Sequence, residues 1–536
     1  MTDLTPDDEA GGGRLPGPRD DVPPLFAVPT TALRRFRATV LDPGTAEQFG
    51  DEPPPRPVAY IPHRLLVPGI SDAQLEGPLA LLRDLGQEME FDVTVRRSRF
   101  ADLAEELGYT DALGGISHSV VELTPWPDRF GPPLEAWSVL QRARRQFGRD
   151  AVATWGLDHV LMATGYMGGV GYMGGVGYMG GVGYMGGVGY MGGVGYMGGV
   201  GVPGTASGRG PVTLTMDPPA PTGSPSPVVA ILDTGLGEHP WFDGSPLVDR
   251  DPSLNGIPLG LRFPRDADPE GTGVSVDLVN RALDPMAGHG TFVAGVVRQH
   301  SADARIVAVP VMYGDGAADE ADVVEALNGL AIWHWSAVDR TREGDPVDVV
   351  NLSLGYYHES ADPVRDEGAL FGILRRLARD GVAVIAAAGN GGTAERFWPA
   401  ALAGEGVDGV PITSVGATNP TGDAVALFSN TGSWVRTYER GVAVVSTMPV
   451  TLQGSLRAEV AVAATPGEPP RATPDPDSYR SGFGLWSGTS FACPCSVGRV
   501  ATVLSRSSAA ASPESRVERV SAAVAEVIEH AAKRLS

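Results

Sequence analysis

Only two cysteines, Cys493 and Cys495, occur in the 536-residue chain, and they stand two positions apart. So few thiols cannot build a disulfide framework, and a lone Cys-x-Cys pair cannot complete a structural zinc site. Their spacing leaves little room for an unstrained disulfide, so buried, small, apolar thiols are the expectation. Positive charge is scarce too: 41 Lys and Arg against 64 Asp and Glu give a formal net charge of −23. That balance works against nucleic acid as a partner, whose phosphates need basic patches, and against docking on anionic lipid. No uninterrupted apolar run is long enough to span a bilayer. The start, "MTDLTPDDEAGGG", lacks a basic stretch followed by an apolar core. No secretory signal is read there, and a cytoplasmic location is the default expectation.

What is present divides the chain. Residues 1–55 are rich in Pro, Gly and acids, a composition expected to stay disordered because it buries too little apolar surface. Residues 56–150 mix strand-like runs ("VAYIPHRLLVP", "FDVTVRRSRF", "SHSVVELTP") with helix-like ones ("SDAQLEGPLALLRDLGQEM", "PPLEAWSVLQRARRQF"), which suggests a small α+β domain. Residues 151–224 read as a linker holding six copies of "GYMGGV", from Gly165 to Val200. Half of each copy is glycine, which loses much entropy on ordering, so a flexible spacer is favoured over a short β-solenoid.

From 225 to 536 buried-strand runs ("PVVAILD", "ARIVAVPVM", "VDVVNLSL", "VAVIAAAG", "VPITSVGA") alternate with helical segments. This is the pattern of an α/β domain, doubly wound, with a mainly parallel sheet and helices on both faces, closed by a helix at 513–535.

Three stretches fall where such strands end or helices begin. "AILDTGLG" places Asp233 after a buried strand, "AGHGTFVAG" places His289 at a helix mouth, and "SGTSFACP" places Ser490 at another. A serine hydroxyl attacks only when a base takes its proton, and that base needs a carboxylate to hold its tautomer. Each residue alone has a plainer reading: a turn aspartate, a helix-entry histidine, an N-cap serine. His239, in "GEHPWF", is the nearest rival base, but no helix entry follows it. Found together at the rim of one parallel sheet, the three are better read as a nucleophile, a base and its orienting acid.

The blocks "DTG", "GHGTFVAG" and "GTSFACP", in that order, resemble the signature of the subtilisin-like serine peptidases (the S8, or subtilase, family). "NLSLG" and "AAAGN" resemble two further blocks of the family, and the likeness covers roughly residues 225–505. It implies a serine endopeptidase in which His289, oriented by Asp233, takes the Ser490 proton and an acyl-enzyme forms. It implies that Asn390 and the Ser490 N–H stabilise the oxyanion. Substrate would add as a strand along Ser353, Leu354 and Gly355, with Ala387, Ala388 and Gly389 lining the pocket before the cut. The partner would be a protein or peptide substrate, with no cofactor required. Structural calcium is familiar in the family, though no ligand loop stands out here. The family often carries a small α+β pro-segment, so residues 56–150 are either such a segment, with self-cleavage between 150 and 225, or a recognition module that stays attached. A catalytically idle scaffold acting through the N-terminal domain and repeat is the alternative, and a dedicated processing enzyme is a third reading.

Overall fold

The computed structural model describes residues 28–48, 53–164, 209–214, 216–360, 368–464, 466–507 and 512–535. The six repeats lie outside the described residues. In the N-terminal domain, strand β1 (Ala59–Pro68) is followed by helix α1 (Asp72–Met89) and β2 (Phe91–Arg96). Ser71 starts α1 with a capping box, its hydroxyl accepting from Gln74 N while the Gln74 side chain reaches back. Strand β3 (His118–Pro125), helix α2 (Ala136–Phe147) and β4 (Gly156–Ala163) complete the unit. The strands are antiparallel in the order β4-β1-β3-β2, with both helices packed against the sheet's apolar residues.

Two expectations change here. Residues 28–48, read from composition as unstructured, carry the helix Thr30–Phe36 and a strand, Thr39–Val40, that pairs with Tyr60 and Ala59. The domain also extends past 150, because β4 belongs to it rather than to a linker.

The second half forms seven parallel strands. Those on the path to the site are β5 (Val228–Asp233), β6 (Val248–Asp249), β7 (Arg305–Pro310), β9 (Val347–Leu352), β11 (Ala383–Ala387), β12 (Thr413–Thr418) and β13 (Thr437–Arg440), in the spatial order β13-β12-β11-β9-β5-β7-β6. Two short strands outside this sheet, β8 (Ala317–Asp319) and β10 (Leu354–Tyr357), flank the cleft. Alternate residues of β5 feed different cores: Val228, Ala230 and Leu232 face one apolar cluster, Val229 and Ile231 the other. Helices α4 (Glu320–Val338) and α5 (Ala369–Arg379) cover the first face. Helices α3 (His289–His300), α6 (Thr489–Arg506) and α7 (Pro513–Leu535) cover the second. The chain passes from β5 to β7 on one side and then to β9 on the other, so the sheet switches direction at β5. Crevices at such switch points, beyond the strands' carboxyl ends, are where α/β sheets place their ligands.

The N-terminal domain shares the core of the first face: Leu82 and Trp137 belong to the same buried cluster as Leu330 and Leu374. The strand that joins them is β4. Its first half pairs with β1 and its second half with β8 and β10.

Candidate active site

Asp233 ends β5 at the sheet's switch point, fully buried. Its Oδ1 accepts from Thr234 N at 2.8 Å and lies 2.7 Å from His289 Nδ1. His289 opens α3, and the glycine after it has a steric cause: a Cβ on Gly290 would stand 2.1 Å from Gly235 O. Only a glycine lets the helix mouth close on the turn that carries the aspartate, which is why "DTG" and "GHG" occur together.

Ser490 sits in the first turn of α6 and is fully buried. Its Oγ lies 2.8 Å from Thr164 Oγ1 and donates to Ser353 O at 3.3 Å. His289 Nε2, the nitrogen a serine would use, has no hydrogen-bond partner among the described residues, while the His289 ring packs 5.3 Å from that of Phe491, the residue after the serine. The aspartate–histidine contact is therefore formed, while the Ser490 hydroxyl is engaged by Thr164 and Ser353.

Thr164 is the residue that sequence reasoning missed. It follows β4 directly, and its carbonyl oxygen receives two donors, Ser490 N at 3.2 Å and Asn390 Nδ2 at 2.5 Å. The amide of Asn390 is oriented by its other end, since Oδ1 accepts from Thr489 N and Thr489 Oγ1 at 3.0 and 2.9 Å. That leaves only the NH₂ to face Thr164. The Thr164 N–H in turn donates to Ser353 O at 2.9 Å. Upstream, Ala163 pairs with Leu354 and Met162 with Gly355, while Met162, Leu161 and Val160 pair with β8. Ala163 N also donates to Gly316 O at 2.7 Å, where a φ of +81° and a Cβ that would press Ala163 at 3.2 Å favour glycine.

The expected substrate-strand residues Ser353, Leu354 and Gly355 thus meet an extended segment, and Asn390 meets its carbonyl. Ala387, Ala388 and Gly389 are bonded inward instead. Ala387 pairs with Val415, Ala388 N donates to Val415 O, and Gly389 N donates to Thr489 Oγ1. Among the described residues none of these three hydrogen-bonds to Thr164.

Glu270 was also missed. It is buried beneath the site, accepting from Gly290 N at 3.0 Å, from Thr291 Oγ1 at 2.5 Å and from Thr234 Oγ1. It ties the aspartate turn to the histidine helix. Burial pushes its carboxyl up to about 8, against the Thr234 and Thr291 hydroxyls that favour the charged form. A carboxyl raised from its ordinary 4.5 contributes stability that is full below that value and lost as pH rises through about 8. Glu270→Gln should therefore melt close to wild type at pH 5 and gain on it by pH 9. Glu270→Ala should melt lower at every pH and lose activity, both checked by thermal melts across that window.

The rival histidine is a core residue. His239 is buried, accepts from Trp241 N at 3.0 Å, and is lowered by burial to about 4. Both cysteines are buried and not joined in a disulfide, with Cys493 Sγ facing Asn351 Oδ1 at 3.3 Å and its thiol pushed up by burial. Among the described residues His159, His358 and Glu359 have metal-ligand spacing. His159, however, bonds through both ring nitrogens, to Glu320 at 2.5 Å and to Glu359 at 2.8 Å. A ring that donates twice to carboxylates has no lone pair left for a metal. Among the described residues no helix is long and apolar enough to cross a membrane.

This geometry meets independent sequence comparisons at one point. A family model described as the subtilase family matches residues 224–536. The chain belongs to the subtilase family. It is similar to the subtilase-type proteinase RRT12 of Saccharomyces cerevisiae, 29% identical over 221 residues, which is 40% of this chain and 36% of the relative. It is similar as well to a thermophilic serine proteinase of Bacillus sp. strain AK1, 28% identical over 239 residues, or 42% and 46% of the two chains. The subtilisin-like protease het-Q2 of Podospora anserina is 27% identical over 188 residues, 32% of this chain and 48% of the relative. The chain thus spans less than half the length of each of these relatives. The mainly parallel α/β sheet described above is the fold that this membership implies.

Proposed function

We propose that the chain is a self-processing subtilase that hydrolyses peptide bonds through an acyl-enzyme on Ser490. Residues up to Thr164 act as its pro-segment. The observation that carries this reading is the Thr164 carbonyl, held by Ser490 N and Asn390 Nδ2 where an oxyanion would develop. A carbonyl there, on a strand paired along both sides, has the placement of a scissile bond, and the bond that follows is Thr164–Gly165. Rotation of Ser490 would bring Oγ under His289 Nε2, which takes the proton as Oγ attacks the Thr164 carbon. The imidazolium, held by Asp233, then gives that proton to the departing amine of Gly165. Water deacylates the serine by the same route in reverse. These side chains suffice to move the protons, so the scheme uses no cofactor. Its substrates are proteins or peptides able to lie extended between β8 and β10.

After the cut, β4 still fills the cleft, so the pro-segment would inhibit until it leaves. Four residues before the cut, Leu161 is fully buried, which makes an apolar side chain there the main anchor, worth about 2 kcal/mol. Labelling with a serine-directed fluorophosphonate tests the reading. The cut chain separated from its pro-segment should label on Ser490, and the uncut chain should label weakly because Thr164 occupies the site. Absence of label from the separated peptidase contradicts it.

A further inference from the structure

The register set by the Thr164 carbonyl numbers every residue of β4 relative to the cut, and His159 is the sixth before it. At that point β4 changes partners: Val160 pairs with Asp319 of β8, while His159 pairs with Tyr60 of the N-terminal domain. The His159 imidazole is buried between two peptidase carboxylates, Glu320 at the start of α4 and Glu359 just after β10. Its ring stacks on that of Tyr356, with centroids 4.5 Å apart. His358 stands beside Glu359, with its Nδ1 accepting from Ser360 N at 2.9 Å. Burial alone would lower His159, but the charges of Glu359 and Glu320 overcome it and raise the ring to about 10, so it is an imidazolium at neutral pH. This is not an empty acidic cluster. It is a pair of carboxylates with a cation seated on them, in the strand that fills the cleft.

We infer that Glu320 and Glu359 form a binding subsite of the peptidase that selects a cationic side chain at the sixth position before the cut. The inference rests on the proposed scissile bond, since that bond fixes the count. Its physical basis is that both carboxylates belong to the peptidase and stay when the pro-segment leaves. They then face the end of the cleft without the His159 imidazolium between them, and only Glu359 keeps a histidine, His358, beside it. An incoming strand paired on β8 and β10 carries its sixth side chain to the same place, and two converging carboxylates favour a donor-rich cation and repel an acid.

The surrounding contacts have the same polarity. Asp315, two residues before β8, and Asp319, its last residue, are paired with Arg35 and Arg64 of the N-terminal region at 2.6 and 3.2 Å. Farther along α4, Glu325 is paired with the Arg99 guanidinium at 3.5 Å. In each pair the pro-segment supplies the cation and the peptidase the anion. The substrate class is therefore polypeptides with basic residues upstream of the cut, not acidic ones.

The test uses the full chain after self-processing and peptides spanning residues 156–170, identical except at the His159 position. Peptides carrying His159→Arg, His159→Ala and His159→Glu are compared by kcat/KM at pH 7. The subsite predicts that arginine exceeds alanine by about tenfold or more and that glutamate falls below alanine, with the difference mainly in KM. In the Glu359→Gln enzyme the arginine advantage should shrink severalfold, and Glu320→Gln provides the same check should the first variant fold poorly. Equal turnover of the three peptides by wild type overturns the subsite and leaves the peptidase reading intact. If none is cut after its threonine by an enzyme whose Ser490 reacts with fluorophosphonate, the placement of the cut fails and the subsite falls with it.

Discussion

Ser490→Ala should leave the chain at full length under conditions in which wild type is cut, with hydrolysis slowed about 10⁶-fold, the scale on which subtilisin loses activity when its serine is removed. The loss should be this large because no neighbouring group can take over. Cys493, one turn along α6, is buried and turned toward Asn351, with its thiol held up by burial. The Thr164 hydroxyl lies beside Ser490 but belongs to the strand being cut. Removing one buried hydroxyl should barely change the fold, because the Ser490 N–H and the pairing of β4 do not depend on the side chain. The variant should therefore melt near wild type while staying uncut. Gel mobility and intact mass over time, with thermal melts alongside, separate this result from simple misfolding.

Asn390→Ala is the second large effect, a fall of about 10²–10³ in kcat, as for one oxyanion donor lost from a subtilisin. Of the two donors to the Thr164 carbonyl, Asn390 Nδ2 is a side chain and Ser490 N is backbone, so only the first can be deleted. KM should move less than kcat, because Asn390 supplies one bond to the strand while Ser353, Leu354 and Gly355 pair along it. A stability cost of about 1–3 kcal/mol should accompany it, since Thr489 N and Oγ1 lose their acceptor. Asn390→Asp should also be slow, because its carboxylate has no proton to donate and repels the developing oxyanion. Self-cleavage rates and peptide kcat and KM for both variants check this.

These effects concern residues that were legible in sequence, and the reason is local. Asp233, His289, Ser490 and Asn390 each sit in a block whose glycines and small residues are dictated by close backbone approach, as at Gly290 against Gly235. Such steric needs write themselves into consecutive letters. The parallel strands were legible for the same reason, since burial on both faces gives unbroken apolar runs such as "VVAIL". Strand β4 was not. Its eight residues end against a glycine-rich repeat, and half of their partners lie in β8 and β10, more than 150 positions away. The helix at Thr30–Phe36 was obscured by the composition of the segment around it, although it packs close to the β4–β8 junction through Ala32 and Ala317. Glu270, in "DPEG", reads as a loop acid, and only packing reveals that it is buried against the Asp233 turn and the start of the His289 helix. The pairing of His159 with Glu320 and Glu359 joins three distant elements, so no local pattern could announce it.

The chain re-enters the described structure at Arg209, whose guanidinium donates to Asp284 O, Pro285 O and Ala287 O in the loop leading to His289. Gly210 and Pro211 pair with Leu485 and Gly484. A cut after Thr164 therefore leaves the peptidase anchored by its own new N-terminal segment, with the repeats ahead of that anchor.

The most direct measurement is the N-terminal sequence of the large fragment that wild type produces and Ser490→Ala does not. The geometry at Thr164 predicts a fragment beginning Gly165-Tyr166-Met167. A fragment beginning at any other residue, or an uncut wild-type chain whose Ser490 nonetheless reacts freely with fluorophosphonate, would contradict the assignment of Thr164–Gly165 as the bond held for cleavage.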